Sequence, residues 1–533
     1  MTRPSLSRHA YLLALAIVIG LKLWLVHGEE IAGSATQYDA LWYIRSASHW
    51  YWGTPYDWIA FIRPCAYPLW IALIQLIHLP LRLAIELLQL GGALILIFGL
   101  RSLGVSRLAG LLSFSLICLH PIAYQENDYS MSDTFYAAML WLVLGGLLFV
   151  LARPGFWQAF GTGVAIAILW NTREEGLLLF LLLALTTIFA FYIRRFSLPG
   201  LHRSQNYRTI IVVWLTATTL ILSVYTVNRS VFGSFARSEM TAPVFQSLYH
   251  SLLRIKPAEP KPYAPITTDT IQRAFAVSPT FAKLRAPLTG PLGESWRVET
   301  YRRTGTANEI GVGWIVWATR QAAAAEGYFS SSKAARRFFT KAAEEIKRAC
   351  DTGRLPTRFV LDGFLDPFSQ SGAGGRLPAS ALRVGARVFG QWNIVGISDD
   401  TILTKEEAAL YDRMTWRRSA GTLPRQGLAV SVEKTIGRFH WLVMVLLHIL
   451  AGVALVSLLV SRRRLANQSG ILLGITLLTT AIFLRGSLLF WLDATAFDAT
   501  QDRFLLPILP LWSAVLILVI FIGLAPRSGV SRT

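Results

Sequence analysis

Repeated apolar runs constrain this chain more than any other feature. Ten stretches, near 10–26, 81–100, 106–123, 134–152, 156–171, 177–193, 209–227, 440–460, 470–489 and 504–525, read as membrane spans. A helix needs roughly 20 largely apolar residues to cross a hydrocarbon core of about 30 Å. Composition agrees: 53% of residues are hydrophobic and only 15% charged, against roughly 25% charged in ordinary globular domains. A soluble enzyme, a disordered chain and a fibrous repeat are thereby excluded. Three cysteines, Cys65, Cys118 and Cys350, cannot build a disulfide framework, and no CxxC or Cys/His cluster suggests structural zinc. The expected fold class is an all-α polytopic membrane protein.

The N-terminal MTRPSLSRHA and the apolar run after it resemble a signal peptide, but no small-residue cleavage site follows. It is read as a retained first span. Residues 66–79 are apolar but short and bounded by Pro64, Pro68 and Pro80, which suits an interfacial or re-entrant helix better than a crossing.

The loops alternate in charge. One set carries Arg3, Arg8, Arg101, Arg107, Arg153, Arg194, Arg195, Arg203, Arg208, Arg462, Arg463, Arg464, Arg527 and Arg532, with no Asp or Glu. The other short loops hold Glu29, Glu30, Asp39, Asp57, Glu126, Asp128, Glu174, Glu175, Asp493, Asp498 and Asp502. By the positive-inside rule the first set is cytoplasmic, which places both termini inside. Three regions follow: an N-terminal bundle 1–227 with a first outer loop at 27–80, an extracytoplasmic insertion 228–438, and C-terminal spans in 439–533. The insertion carries 30 Lys+Arg against 18 Asp+Glu and much of the net charge of +20. Basicity placed this way fits an anionic lipid surface or phosphate-bearing lipid better than nucleic acid, for which no motif is present. Lys333–Leu355 has a helical apolar period with Gly353 as its stop, so the insertion is expected to be mainly helical. Residues 369–380, SQSGAGGRLPAS, read as a flexible turn or linker.

With this topology the carboxylates outside the insertion gather on the outer side, accompanied by Arg45, Arg63, Arg173 and Arg503. That pairing suits a transferase using a lipid-linked phosphate: a carboxylate accepts the acceptor's proton and a guanidinium binds the departing phosphate. Arg485 lies inside the ninth span, and an intramembrane cation is a functional candidate by default. The first outer loop, TQYDALWYIRSASHWYWGTPYDWIAFIRPCAYPLW, sets Asp39 before Trp42, Tyr43, Trp50 and Trp52. Such rings serve as an interfacial belt or stack on a sugar or isoprenoid. Asp133 in SMSDTF is equally placed to be a helix N-terminal acid, and arginines at span ends to be interfacial anchors.

An early acid in the first outer loop, a G-x-x-Y turn and R-P-x-x-Y-P-L resemble the GT-C membrane glycosyltransferases, in particular the protein O-mannosyltransferase and aminoarabinose transferase branch. HPIAYQENDYSMSDTFYAAML, LWNTREEGLLLF and QDRFLLPILPLW fit that pattern in order. The resemblance covers the membrane core and not 228–438. It implies a GT-C-like bundle of about ten helices in a plasma or bacterial inner membrane. The implied reaction moves a sugar from a polyprenyl-phosphate donor to a hydroxyl acceptor (glycan, lipid or protein) at the outer face. Asp39 would be the general base and Asp128 or Asp133 a second acid. Arg173 and Arg503 would hold the donor phosphate, supported by Arg485 and Arg63, with Trp42, Tyr43, Trp50 and Trp52 stacking on sugar or lipid. A divalent metal is compatible with the resemblance, though no ligand cluster in the sequence calls for one. In place of the acidic pair often shown by close relatives, Asp39 is followed by Ala40. The alternative function is a membrane transporter or lipid flippase. That class often shows paired internal repeats, and none is visible.

Overall fold

The structure, a computed structural model, describes residues 6–31, 38–196, 206–360, 372–391, 404–417, 427–460 and 468–524. All regular elements among them are helical. Helix α1 (Arg8–Leu25) starts where the Ser7 side chain accepts a hydrogen bond from the Ala10 amide, relieving one of the free N–H groups of a first turn. In the loop 27–80 lie α2 (Tyr38–Ser48) and α3 (Ala66–Leu76). Eleven helical residues rise only about 16 Å, half a bilayer core, so α3 does not cross. Then follow α4 (Leu81–Ser102), α5 (Arg107–Cys118), α6 (Pro121–Glu126), α7 (Ser132–Ala152), α8 (Phe156–Trp170), α9 (Gly176–Phe196) and α10 (Asn206–Phe232).

The region between the membrane halves contains α11 (Pro243–Arg254), α12 (Thr268–Val277), α13 (Arg285–Thr289), α14 (Pro291–Thr304), α15 (Val312–Ala325), α16 (Ser332–Asp351), α17 (Ala373–Gly390) and α18 (Lys405–Thr415). The chain returns through α19 (Gly427–Val460), α20 (Ser469–Thr495), α21 (Asp502–Leu505) and α22 (Leu509–Gly523). Seven helical stretches are long and apolar enough to span: Arg8–Leu25, Leu81–Ser102, Arg107–Glu126, Ser132–Ala152, Tyr207–Phe232, Gly427–Val460 and Ser469–Thr495. The other three expected spans form shorter apolar helices, Phe156–Trp170, Leu178–Tyr192 and Leu509–Gly523. The protein is an integral, multi-pass, all-α membrane protein.

Helix α7 is the axis of the bundle and is buried over nearly its whole length. It meets α4 at backbone distance: a Cβ on Gly145 would lie 2.5 Å from the Ile95 carbonyl carbon, and one on Gly99 2.5 Å from the Gly145 oxygen. Lipid tails are as apolar as leucine, so helices in a bilayer gain from such close van der Waals contact at small residues.

The insertion divides into a lobe and two outlying helices. In the lobe α16 buries Ala335, Phe338, Phe339, Ala342, Ala343 and Ile346, a three-and-four spacing that defines one helical face, packed with Phe245, Leu248 and Leu252 of α11. Gly353 takes φ +72° just past its end, where a residue without Cβ is least strained. By contrast Val384 and Val388 of α17 and Tyr411 and Met414 of α18 belong to the core of the membrane bundle. This corrects the linker expected at 369–380. Residues 369–371 lie outside the described ones, but from Ala373 onward the segment is helix, despite Pro378. Arg376 donates to the Ala494 carbonyl at 2.9 Å, Arg383 pairs with Asp493 at 2.5 Å and Arg387 pairs with Asp502. These contacts override the local signal of glycine and proline.

Candidate active site

Ion pairs bring the acidic loops together at one end of the bundle. The first cluster centres on Asp133, in the first turn of α7 and 1% exposed at its side chain. Arg173, in the turn between α8 and α9, reaches Asp133 Oδ1 at 2.7 Å and Glu175 Oε1 at 3.0 Å. Arg485 of α20 pairs with Glu175 Oε2, stands 3.9 Å from Asp133 Oδ1, and donates to the Phe504 carbonyl at 3.2 Å. Arg173 also donates to Ser132 Oγ at 3.3 Å, which in turn lies 3.0 Å from the Tyr43 hydroxyl of α2. Burial pushes the Tyr43 hydroxyl up to about 12, so it stays protonated and available to this network.

Asp39 stands one turn before Tyr43, in the first turn of α2. Its Oδ2 is 2.5 Å from Arg63 Nη2, while Arg63 Nη1 lies 3.6 Å from Glu174. Burial disfavours the Arg63 charge, yet Asp39, Tyr43 and Glu174 outweigh it and raise its proton affinity. Arg63 is therefore a fixed cation, and its ion pair orients the Asp39 carboxylate. Its guanidinium also lies 5.1 Å from the Trp317 ring of the lobe. The lobe is held there by the fully buried Arg320 of α15, which pairs with Glu239 at 2.7 Å and donates to the Trp58 carbonyl from Nε at 2.9 Å.

Arg503 differs from its neighbours. It sits in the short helix α21, its guanidinium carbon 4.5 Å from the Phe504 ring. Among the described residues it makes no ion pair, and its buried Nε has no hydrogen-bond partner. Burial pushes its proton affinity down, against the pull of Asp133, Asp39 and Glu126. It therefore feels all three carboxylates without forming an ion pair to any of them among the described residues.

Asp128 falls elsewhere. Its Oδ1 accepts from Arg82 Nε at 2.9 Å, in a second network where Arg82 also pairs with Glu29 and Glu86 and Lys22 stands 3.4 Å from Glu86. This network ties the end of α1, the start of α4 and the α6–α7 turn together. Of the four first-loop aromatics expected to stack on sugar or lipid, Tyr43 and Trp42 are buried. Trp52 donates to Asn228 Oδ1 at 2.8 Å, and Trp50, with φ +51°, is half exposed.

The structure thus gathers Asp39, Arg63, Asp133, Arg173, Arg485 and Arg503, and separates Asp128 from them. Sequence reasoning missed Trp317 and Arg320 of α15 and the anchoring pair Arg387–Asp502. Among the described residues no group of three or more His, Cys, Asp or Glu is arranged to hold a metal ion.

The chain matches no family model and no curated protein. In structure it is similar to ArnT from Cupriavidus metallidurans bound to undecaprenyl phosphate, at 14% identity and a TM-score of 0.30, over 93% of this chain and 77% of that one. The apo state of that enzyme gives a TM-score of 0.29. It is also similar to the Archaeoglobus fulgidus oligosaccharyltransferase tethered with an acceptor peptide, at 11% identity and a TM-score of 0.27, over 80% of this chain and 55% of that one.

Proposed function

We propose that this protein transfers a sugar from a polyprenyl-phosphate donor to a hydroxyl acceptor, in a site at the extracytoplasmic end of the bundle, with both termini cytoplasmic. One observation carries the reading: Arg503 is a cation without an ion-pair partner among the described residues, within electrostatic reach of a carboxylate already oriented by another arginine. A buried charge is costly unless an opposite charge completes it, and a phosphate oxygen from the donor would do so.

In the proposed reaction Arg503 takes the donor phosphate, in a site whose other arginines are already paired. The Asp39 carboxylate takes the proton of the acceptor hydroxyl through Oδ1, the oxygen that Arg63 leaves free. The acceptor oxygen then bonds to the anomeric carbon while the bond from that carbon to the phosphate oxygen breaks, with inversion. The phosphate leaves on its lipid, its charge met by Arg503. Arg173, Arg485, Asp133 and Glu175 hold the frame around it. Asp128, bound to Arg82, acts as a positioning residue for the α6–α7 turn.

The test is transfer by the purified protein from undecaprenyl-phosphate sugars. Asp39→Asn keeps the shape of the side chain and removes the base, so turnover should fall about 10²–10⁴-fold with undecaprenyl phosphate binding retained. Near-normal turnover by that variant removes Asp39 from the role.

A further inference from the structure

Five tryptophans meet beside the Asp39–Arg63 pair, two from the first outer loop and three from the lobe. Trp42 lies 4.9 Å from Trp317 and 5.6 Å edge-on from Trp58, ring centre to ring centre, with Trp296 and Trp314 packed against the group. Trp42 is one helical turn from Asp39 on α2, so the two share a face. Trp317 carries the Arg63 guanidinium. The cluster therefore reaches the carboxylate through Arg63, which lies between Trp317 and Asp39.

Its hydrogen bonding is incomplete. Trp296 donates to Gln321 Oε1 at 3.0 Å. The indole N–H groups of Trp42, Trp58, Trp314 and Trp317 donate to nothing among the described residues, and none of them is a buried orphan, so they open onto the solvent side of the cluster. Trp58, Trp296 and Trp314 are only partly buried, so the cluster keeps an accessible side. An indole offers an apolar face and a single donor. Donors open on the accessible side of an apolar cluster suit a ligand that carries acceptors along a flat apolar body. An isoprenoid chain would cover the faces and leave every N–H unpaired. A pyranose satisfies both needs, with C–H bonds on its faces and hydroxyl oxygens at its rim.

Building on the transferase reading above, we infer that this indole cluster is the acceptor subsite and that the acceptor is a saccharide. Its ring packs against the tryptophan faces, its hydroxyls accept from the indole N–H groups, and one hydroxyl is presented to Asp39. The lobe, through Trp314 and Trp317, thereby sets acceptor specificity.

The same chemistry would suit the sugar of the donor, so the experiment separates the two. The full-length protein in phosphatidylethanolamine/phosphatidylglycerol nanodiscs is titrated with neutral oligosaccharides of glucose, mannose and N-acetylglucosamine, with undecaprenyl phosphate, with undecaprenyl-phosphate-glucose and with a Ser/Thr-rich peptide. Saturable quenching of tryptophan emission by at least one oligosaccharide is expected. Trp314→Ala should weaken it by about tenfold, the equivalent of one typical buried hydrogen bond, with both lipids bound as in the parent. Trp314→Phe keeps a packed ring without the N–H and carries the same test if the alanine variant does not fold. Weakening of the glycosylated lipid alone would assign the cluster to the donor sugar and overturn the inference. Peptide binding lost in Trp314→Ala, no saccharide binding, or saccharide binding indifferent to Trp314 would also overturn it. Failure of the transferase reading shows separately, as undecaprenyl phosphate affinity unchanged in Arg503→Ala.

Discussion

Arg503→Ala and Arg173→Ala are expected to fail in opposite ways, although the two arginines read alike in the sequence. Arg173 sits 2.7 Å from the buried Asp133 and 3.0 Å from Glu175. Its removal leaves Asp133 with Arg485 at 3.9 Å as its remaining cation among the described residues. Breaking a buried pair typically costs about 3–5 kcal/mol, because the orphaned charge stays buried. Arg503 has no carboxylate to orphan, so its removal should leave the unliganded protein as stable as the parent, or slightly more so. Its loss should appear in ligand binding instead. A charge-assisted hydrogen bond is worth about 1.5–3 kcal/mol, or roughly 10–150-fold in affinity for a phosphate. The assay pairs thermal melting in detergent with titration of undecaprenyl phosphate. A melting temperature that falls as far in Arg503→Ala as in Arg173→Ala, or phosphate affinity within twofold of the parent, would refute the assignment.

Arg82→Ala should destabilise the bundle by about 3–5 kcal/mol, because Arg82 is 3% exposed and serves Glu29, Glu86 and Asp128 at once; thermal melting reads this. Gly145→Ala should cost about 1–3 kcal/mol as an overpacking change, since its added methyl meets the α4 backbone at 2.5 Å; an unchanged melting temperature would show that the helices can separate freely. In the lobe, Glu345 accepts hydrogen bonds from Ser278 Oγ, the Thr280 amide and Thr280 Oγ1. Partial burial opposes its charge, but these bonds hold its carboxyl below the ordinary value. A depressed folded value stabilises above the unfolded value of about 4.3 and is lost as pH falls through the folded one. Glu345→Gln should therefore lower the melting temperature at pH 7, with the gap closing below about pH 4. A gap that is constant with pH would refute the linkage.

The spans were legible because apolar length is a local property: α4, α7 and α10 lie where their runs do. The lobe helix α16 was legible for the same reason, its apolar residues recurring at helical spacing. Segment 369–380 was misread from Ala373 on because glycine and proline report local preference, whereas Arg376, Arg383 and Arg387 bind partners more than a hundred positions away. The candidate site was legible as a list and not as a wiring diagram. Asp128 and Asp133 are five positions apart, yet one turns to Arg82 of α4 and the other to Arg173 before α9.

Sequence alone determined that this chain lives in a bilayer as helices, because hydrocarbon leaves an apolar run few other choices, and which loops carry acids and which carry arginines. Only the tertiary structure decided which arginine is spent and which is left over. An ion pair depends on a few ångströms between side chains on different helices, and no spacing along the chain encodes that distance.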